Sequence, residues 1–222
     1  MNSFDTKEHR EGQEQLISFK VLRQAIGFLG LFFPFILIVG GNWIHDCPMI
    51  LQSVSGYYHT DMRQVFVAVM VTISIFLFVY DGYDFTDFVL AKLATLFALG
   101  VAFFPTEIES FDPTCLVYEV PVRHELHMIS AVSFFLILTY FALVQFRKSD
   151  KKLLGEQKSY RNTVYLVCGI VMLASIVLIG LYLLFEQYFP VFPWVFVLEW
   201  IALAAFGISW IVKGEFILAD QP

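Results

Sequence analysis

The chain has 222 residues, of which 58% are apolar and only 15% are charged. A soluble globular domain carries about a quarter charged residues and under half apolar residues, so this composition predicts a protein that is partly solvated by lipid. The formal net charge of −6 says little about nucleic acid, but no basic patch has the size or the aromatic interleaving that a nucleic-acid binder needs.

Six apolar blocks of membrane length follow one another along the chain. A helix rises about 1.5 Å per residue, so about 20 apolar residues cross a hydrocarbon core of ~30 Å. Backbone polar groups in lipid must be satisfied within their own segment, which favours helices over loose strands. We therefore predict an all-α fold, a polytopic transmembrane bundle of six helices. The predicted spans are residues 21–44, 64–80, 88–105, 124–146, 163–187 and 194–213.

The first block is predicted to be a membrane anchor rather than a cleaved signal peptide. It follows a polar segment, residues 1–20, is too long, and lacks a small-residue cleavage site. Pro34 lies near its middle and is predicted to kink it. The predicted organisation is this polar cytoplasmic segment, a single six-helix transmembrane domain over residues 21–214, and a short cytoplasmic tail, residues 215–222.

The distribution of lysine and arginine predicts that both termini are cytoplasmic. With six spans and the N-terminus inside, twelve of these residues lie on the inner side, and two, Arg63 and Arg123, lie on the outer side. The longest inner loop, residues 147–162, is basic and is interpreted as a topology determinant that contacts the lipid surface.

The three cysteines fall in different predicted environments. Cys47 and Cys115 lie in predicted outer loops, where thiols tend to be oxidised, and Cys168 lies inside the fifth span. The outer pair is either a disulfide that joins two loops or two unrelated free thiols.

Titratable side chains gather near the predicted outer ends of the second, fourth and sixth spans. His59 precedes the second span, and His124 and His127 begin the fourth on one helix face because they are three residues apart. Glu199 lies about six residues into the sixth span, or ~9 Å below the interface. Ionisable residues at membrane depth are costly and are usually functional or paired. We therefore predict a polar site that faces outward.

Two kinds of chemistry fit these residues. Three imidazoles with an open fourth position suit zinc, so His59, His124 and His127 are candidate metal ligands, and Glu199 or Asp61 would be the catalytic base of a hydrolase. Without a metal, the same groups would carry out general acid–base chemistry or relay protons. The simpler interpretation is that these residues occupy a wet interface and that Glu199 is paired within the bundle.

A second acidic group precedes the third span. Asp81, Asp84 and Asp87 recur at every third position. Their oxygen ligands would bind a hard cation. Alternatively, they form a polar turn whose acids pair with Lys92 and with the N-terminal end of the third helix.

Several stretches of the sequence resemble known membrane proteins. The stretches are SVSGYYHTDMRQVFVAV, FALGVAFFPTE, HMISAVSFFLILTYF and FGISWIVKG. They resemble a family of uncharacterised bacterial six-helix integral membrane proteins over most of the chain, up to Gly214. This resemblance implies a multi-pass protein of the bacterial inner membrane.

Two more distant resemblances point to lipid chemistry. The chain is similar to the DRAM/Frag-type six-helix proteins in its serine-containing loop before Phe66 and in a histidine that opens the fourth helix, which implies a role in lipid remodelling. Ser55 and His59 match the Ser-x-x-x-His pattern of the membrane hydrolases related to alkaline ceramidases, whose late His-x-x-x-His pair is not matched. Ser55 and Tyr58 are the predicted ligand-binding residues.

The sequence thus predicts a membrane protein that binds, senses or helps to remodel a lipid or amphiphile at an outward-facing polar site. A zinc-dependent intramembrane lipid hydrolase and a small proton-linked transporter or accessory subunit are the alternatives. The expected partners are membrane lipids, together with a second copy of the chain or another membrane protein.

Overall fold

A computed structural model describes residues 3–45, 50–80, 82, 84–107, 124–148 and 156–219 of the chain. It confirms the predicted all-α bundle of six helices, and the described residues contain no strand. The helices are α1 (Ser3–His45), α2 (Arg63–Val79), α3 (Phe85–Phe103), α4 (His124–Leu143), α5 (Glu156–Phe185) and α6 (Trp194–Lys213). Three short 3₁₀ turns also occur, over Ser55–His59, Gln145–Arg147 and Glu186–Tyr188.

The lengths and compositions of the helices are those of a multi-pass membrane protein. Within the described residues, five helices contain a segment that is long and apolar enough to cross a bilayer. Helix α2 is apolar but has only 17 residues, so it extends about 26 Å. Large apolar side chains such as Leu184 and Phe78 are exposed on the outside of the bundle, where a soluble protein would be polar.

Two helices begin well before their apolar spans. Helix α1 starts at Ser3 rather than near residue 21 and continues through Pro34, and α5 starts at Glu156 rather than near residue 163. The added turns contain Glu, Gln, Lys and Arg. These residues have high helix propensity, but they are too polar to be counted as part of an apolar membrane span. A hydropathy pattern therefore locates the membrane crossing but not the helix that contains it.

The helices form a closed ring in chain order. Each helix packs against the one before and the one after it, and α6 returns to pack along α1. Successive helices that pack side by side in an up-and-down bundle are antiparallel, so alternate helices begin at the same end of the bundle. Aromatic side chains fill the centre of the ring, with Trp210 fully buried against Tyr80, Phe141, Phe146 and Phe206.

Helices α1 and α6 approach each other through two glycines. A Cβ atom added to Gly207 would lie 2.6 Å from the carbonyl oxygen of Gly27, and one added to Gly27 would lie 2.7 Å from the carbonyl oxygen of Gly207. Small residues at such a crossing allow the two backbones to pack closely, which is a common basis of helix association in membranes.

One end of the bundle carries most of the described basic residues, and we call it the basic end: Lys20, Arg23, Lys148, Lys158, Arg161 and Lys213. Its contacts join the helix termini to the segment that follows α6. Lys20 Nζ lies 2.5 Å from a carboxylate oxygen of Glu215, and Arg161 donates a hydrogen bond of 2.7 Å to the carbonyl oxygen of Leu218. The predicted inner lysines and arginines from separate helices are thus brought to one end.

The aspartates before α3 have separate roles. Asp84 is the N-cap of α3 and accepts a hydrogen bond of 2.9 Å from the backbone N–H of Asp87. Its other oxygen lies 2.7 Å from Nζ of Lys148, and this ammonium holds the pKa of the Asp84 carboxyl below its usual value. The side chain of Asp87 is fully buried, and Asp81 lies outside the described residues. Helix capping therefore accounts for Asp84 without a bound cation.

Candidate functional site

A cavity of about 1020 Å³ lies at the end of the bundle opposite the basic end. Its floor and walls come from α4, α5 and α6, together with the segment that precedes α2 and the residues that follow α3. The polar lining includes Ser55, His59, Thr106, Glu107, His124, His127, Glu186, Gln187 and Glu199. The apolar lining includes Met128, Ala131, Val132, Phe135, Ile176, Ile179 and Leu183.

The cavity has a polar end and an apolar wall. The polar groups lie near the start of α4 and α6, whereas the apolar residues lie further along α4 and on the facing part of α5. From His127 to Phe135 the wall extends about 12 Å along α4. Val132 and Leu183 line this wall, and both side chains are partly exposed.

Two buried histidines are oriented by backbone carbonyls at the end of α3. Nδ1 of His127 lies 2.7 Å from the carbonyl oxygen of Phe104, and Nε2 of His59 lies 2.9 Å from that of Thr106. Helix α3 ends at Phe103, before Pro105, which leaves the carbonyls around the proline outside the helical hydrogen-bonding pattern. The two imidazole rings thus enter the cavity from different elements but are fixed by one segment.

These contacts determine which ring nitrogen carries a proton. A carbonyl oxygen only accepts hydrogen bonds, so Nδ1 of His127 and Nε2 of His59 are the donors. In the neutral imidazole the opposite nitrogen, Nε2 of His127 and Nδ1 of His59, is then an acceptor.

The third histidine, His124, lies at the rim of the cavity. Its Nδ1 atom is 4.0 Å from a carboxylate oxygen of Glu107, and both side chains are substantially exposed. His124 and Glu107 therefore belong to the solvent-accessible opening, whereas His127 and His59 lie deeper.

Glu199 joins the floor of the cavity to the segment that precedes α2. Its Oε2 atom accepts a hydrogen bond of 2.6 Å from the backbone N–H of Val54, which is almost fully buried. Close by, the backbone N–H of Phe196 in the first turn of α6 donates to the carbonyl oxygen of Gln52 at 2.8 Å. These bonds satisfy a free N–H group at the start of α6 and hold the segment with Ser55 and His59 against that helix.

A second, much smaller cavity of about 30 Å³ lies next to the first. The two cavities share Ser55, Ala131, Phe135 and Glu199 in their linings, and the smaller one reaches Phe66 in the core. Its volume is enough for a water molecule, and the serine hydroxyl and the carboxylate are suitable partners for one. Glu199 thus borders both the large cavity and the buried interior.

The structure brings together five of the residues predicted from sequence. Ser55, His59, His124, His127 and Glu199 all line the large cavity. These residues come from three separate elements, the 3₁₀ turn before α2, helix α4 and helix α6.

Two other predicted residues lie elsewhere. Tyr58 is not among the lining residues, and its hydroxyl oxygen accepts a hydrogen bond of 2.8 Å from Arg63, whose guanidinium also stacks on the Tyr58 ring. Asp61 is likewise outside the lining. The predicted disulfide residues, Cys47 and Cys115, lie outside the described residues, so their pairing stays a prediction.

The predicted zinc ligands do not form a closed ligand set. Among the described residues, no group of three or more histidine, cysteine, aspartate or glutamate side chains is arranged to hold a metal ion. The fixed tautomers of His59 and His127 are nevertheless the kind found in zinc sites, where the second ring nitrogen of a ligand donates to a carbonyl.

Sequence reasoning missed several lining residues on α5 and just after it. Glu186 and Gln187 follow the fifth span, and Gly180 lines the cavity with no atom within 4 Å of the place that a Cβ would occupy. The sequence did contain an indication of these residues, because the alternation of the spans places the end of the fifth helix at the same end of the bundle as His59. The spacing of polar residues within one segment does not show that the end of the fifth helix contributes to the site.

Comparisons of the chain with protein-family models, with curated proteins and with solved structures find no match. The fold and the cavity define its class, a multi-pass α-helical membrane protein with a partly polar, partly apolar cavity at one end of the bundle. The resemblance to an uncharacterised bacterial family and to DRAM/Frag-type proteins stays a prediction.

Proposed function

We propose that the protein binds a lipid or another amphiphile in the large cavity. The observation that supports this proposal is the division of the lining into a polar end, formed by histidine and glutamate side chains, and an apolar wall on α4 and α5. A headgroup fits the polar end, and an alkyl or acyl chain fits along the wall. Sensing or remodelling of the bound molecule would start from this complex.

The apolar wall supplies most of the binding free energy. Each buried methylene group contributes about 0.8 kcal/mol, so a chain that covers even part of a 12 Å wall, a length of about eight residues of α4, is held by several kcal/mol. The polar end contributes specificity, because hydrogen-bonding groups in a mostly apolar cavity fix the orientation of a ligand.

Blocking the apolar wall tests the proposal. Gly180→Phe adds a ring at a residue that lines the cavity, and no atom lies within 4 Å of the added Cβ. We expect the purified variant to fold normally and to retain at most about a tenth of the amphiphile that co-purifies with the wild type, since losing two or more methylene contacts costs over tenfold in affinity. Lipid mass spectrometry of detergent-purified protein measures this content.

Leu178→Phe is the matched control for this experiment. It adds an aromatic ring to the same helix at a position that is exposed and does not line the cavity. The control variant should keep the wild-type amphiphile content. Equal amphiphile content in the Gly180→Phe variant and the wild type would refute binding in this cavity.

A zinc-dependent lipid hydrolase is the second candidate, supported by the carbonyl-oriented tautomers of His59 and His127. In that case Glu199 would be the base. This candidate requires protein purified without chelator to hold near-stoichiometric zinc, and His127→Ala to lose it, as measured by elemental analysis. Wild-type protein that takes up no zinc from a supplemented buffer would eliminate the hydrolase and leave amphiphile binding intact.

We propose that the basic end faces the cytoplasm of a bacterial cell and that the cavity faces outward through the inner membrane. The excess of lysine and arginine at the basic end supports this orientation. In a chain whose own cysteines are replaced, single cysteines placed in residues 148–156 should be protected from an impermeant thiol reagent in intact cells. A cysteine that replaces Glu107 should react, and the opposite labelling pattern would reverse the orientation.

A further inference from the structure

We propose that the large cavity selects an amphiphile by the length of its chain and that Phe135, at the inner end of the apolar wall, sets the limit. This inference rests on the proposed function, because it specifies which chains the apolar wall accepts. The supporting observations are the residues at which the cavity lining ends and the packing of the residues beyond them.

The apolar lining ends after a similar length on two facing helices. Counted from the polar end, the last lining residue of α4 is Phe135, and that of α5 is Ile176. Phe135 lies eight residues, or about 12 Å, beyond His127. Ile176 lies seven residues, or about 10 Å, from Leu183. Because α4 and α5 run in opposite directions, they give two separate measures of the wall, and the two agree.

Beyond these residues the bundle is filled by packed side chains. The next positions on the same helix faces lie three or four residues further along each helix. In α4, α5 and α6 these positions are at most 3% exposed: Leu138, Thr139, Met172 and Ala202. The smaller cavity next to the large one has about 30 Å³, which is room for a water molecule but not for several methylene groups. The apolar wall therefore leads to a closed inner end.

The length of the wall corresponds to a chain of moderate length. An extended alkyl chain advances about 1.25 Å per carbon, the projection of a ~1.5 Å single bond at an angle of ~111°. A headgroup at the level of His127 thus leaves room for about ten carbons along the wall. One leaflet of a bilayer has a hydrocarbon depth of about 15 Å, half of the ~30 Å core. The preferred chain is therefore shorter than the leaflet around the protein.

Phe135 and Ala131 are the positions at which the length of this path can be changed. Phe135 lines both cavities, and its ring packs against that of Phe134 with the ring centroids 5.9 Å apart. Ala131 lies one helical turn closer to the polar end on the same face of α4 and also lines both cavities. A smaller side chain at Phe135 lengthens the path, and a larger one at Ala131 shortens it.

The test compares straight-chain alcohols, which share one uncharged headgroup and differ in length. Wild-type protein in detergent is incubated with an equimolar mixture of octanol, decanol, dodecanol, tetradecanol and hexadecanol, and the bound alcohols are quantified by mass spectrometry. The Gly180→Phe variant in the same detergent measures non-specific partitioning. After subtraction, we expect binding to be greatest near decanol and at least about fivefold lower for hexadecanol, because forcing extra methylene groups into a packed core is costly.

Two variants should move the preferred length in opposite directions. Phe135→Ala removes a ring from the end of the path, so we expect the preferred chain to become longer by about two to four carbons. Ala131→Leu adds volume nearer the polar end, so octanol should become the best ligand of the series. A loss of stability alone would lower the binding of every alcohol without changing the preferred length.

Leu136→Ala is the matched control for these variants. It shortens an apolar side chain of α4 that is exposed and does not line the cavity, so the preferred length should stay that of the wild type.

The outcomes separate the inference from the function on which it rests. If hexadecanol binds as well as decanol, or if the preferred length is the same in the wild type and in the Phe135→Ala and Ala131→Leu variants, the limit set by Phe135 is wrong while amphiphile binding stands. If no alcohol binds the wild type better than Gly180→Phe, the proposed function fails, and the selection by length fails with it.

Discussion

Gly207→Ala is expected to destabilise the protein strongly, because the added methyl group meets atoms that are fixed to the backbone of α1. The Cβ would lie 2.6 Å from the carbonyl oxygen of Gly27, 2.8 Å from Cβ of Leu31 and 2.9 Å from the backbone nitrogen of Leu31, and none of these atoms can move without shifting α1. Overpacking of this kind costs about 1–3 kcal/mol or more, which corresponds to a fall of roughly 3–10 °C in Tm for a chain of this size. Thermal unfolding in detergent, followed by tryptophan fluorescence or by circular dichroism, measures the change.

The same substitution at Gly180 should have the opposite sign. A Cβ at Gly180 meets no atom within 4 Å, and alanine is favoured over glycine within a helix by about 0.5–1 kcal/mol. Gly180→Ala is therefore expected to keep or raise the Tm. Equal Tm values for the Gly207→Ala and Gly180→Ala variants would mean that α1 and α6 do not pack through the Gly27–Gly207 contact.

The membrane-spanning part of the fold could be predicted from the sequence because the free-energy cost of exposing polar groups to lipid is local. The predicted sixth span coincides with Trp194–Lys213, and the predicted second span differs by one residue at each end from Arg63–Val79. The third helix begins three residues before its predicted span, because Asp84 caps it and Asp87 is polar. Capping is a side-chain to backbone contact that a hydropathy pattern does not register.

The candidate site could be predicted only in part. The residue types and the alternation of the spans placed His59, His127 and Glu199 at one end of the bundle. The partners of these residues could not be predicted, because the carbonyls of Phe104 and Thr106 become available only through the way the chain leaves α3 near Pro105. Backbone acceptors have no sequence signature of their own.

The cavity could not be predicted from the sequence of any single segment. Its apolar wall is formed where α4, α5 and α6 separate, and the lining side chains of α4 and α5 are ordinary span residues such as Phe135 and Ile179. Whether two apolar faces pack together or leave a space depends on the shapes of the side chains across the interface. An unoccupied space such as the one beside Gly180 is therefore seen only in the structure.

Glu199 is expected to have two roles that different substitutions separate. Glu199→Gln keeps an oxygen that can accept the hydrogen bond from the backbone N–H of Val54, so we expect a Tm within a few degrees of the wild type. Glu199→Leu leaves that buried N–H without its acceptor, at a cost of about 1–3 kcal/mol, and should lower the Tm by several degrees.

The same two variants should be alike in ligand binding. Both remove the carboxylate of Glu199 from the lining of the cavity, so we expect each to retain less of the amphiphile that co-purifies with the wild type, because polar groups in a mostly apolar cavity fix the orientation of a ligand. Melting temperature and amphiphile content, measured on the same preparations, separate the roles of the oxygen and of the charge. If Glu199→Gln lowers the Tm as much as Glu199→Leu and leaves the amphiphile content unchanged, the carboxylate of Glu199 serves only to hold the segment that precedes α2 against α6.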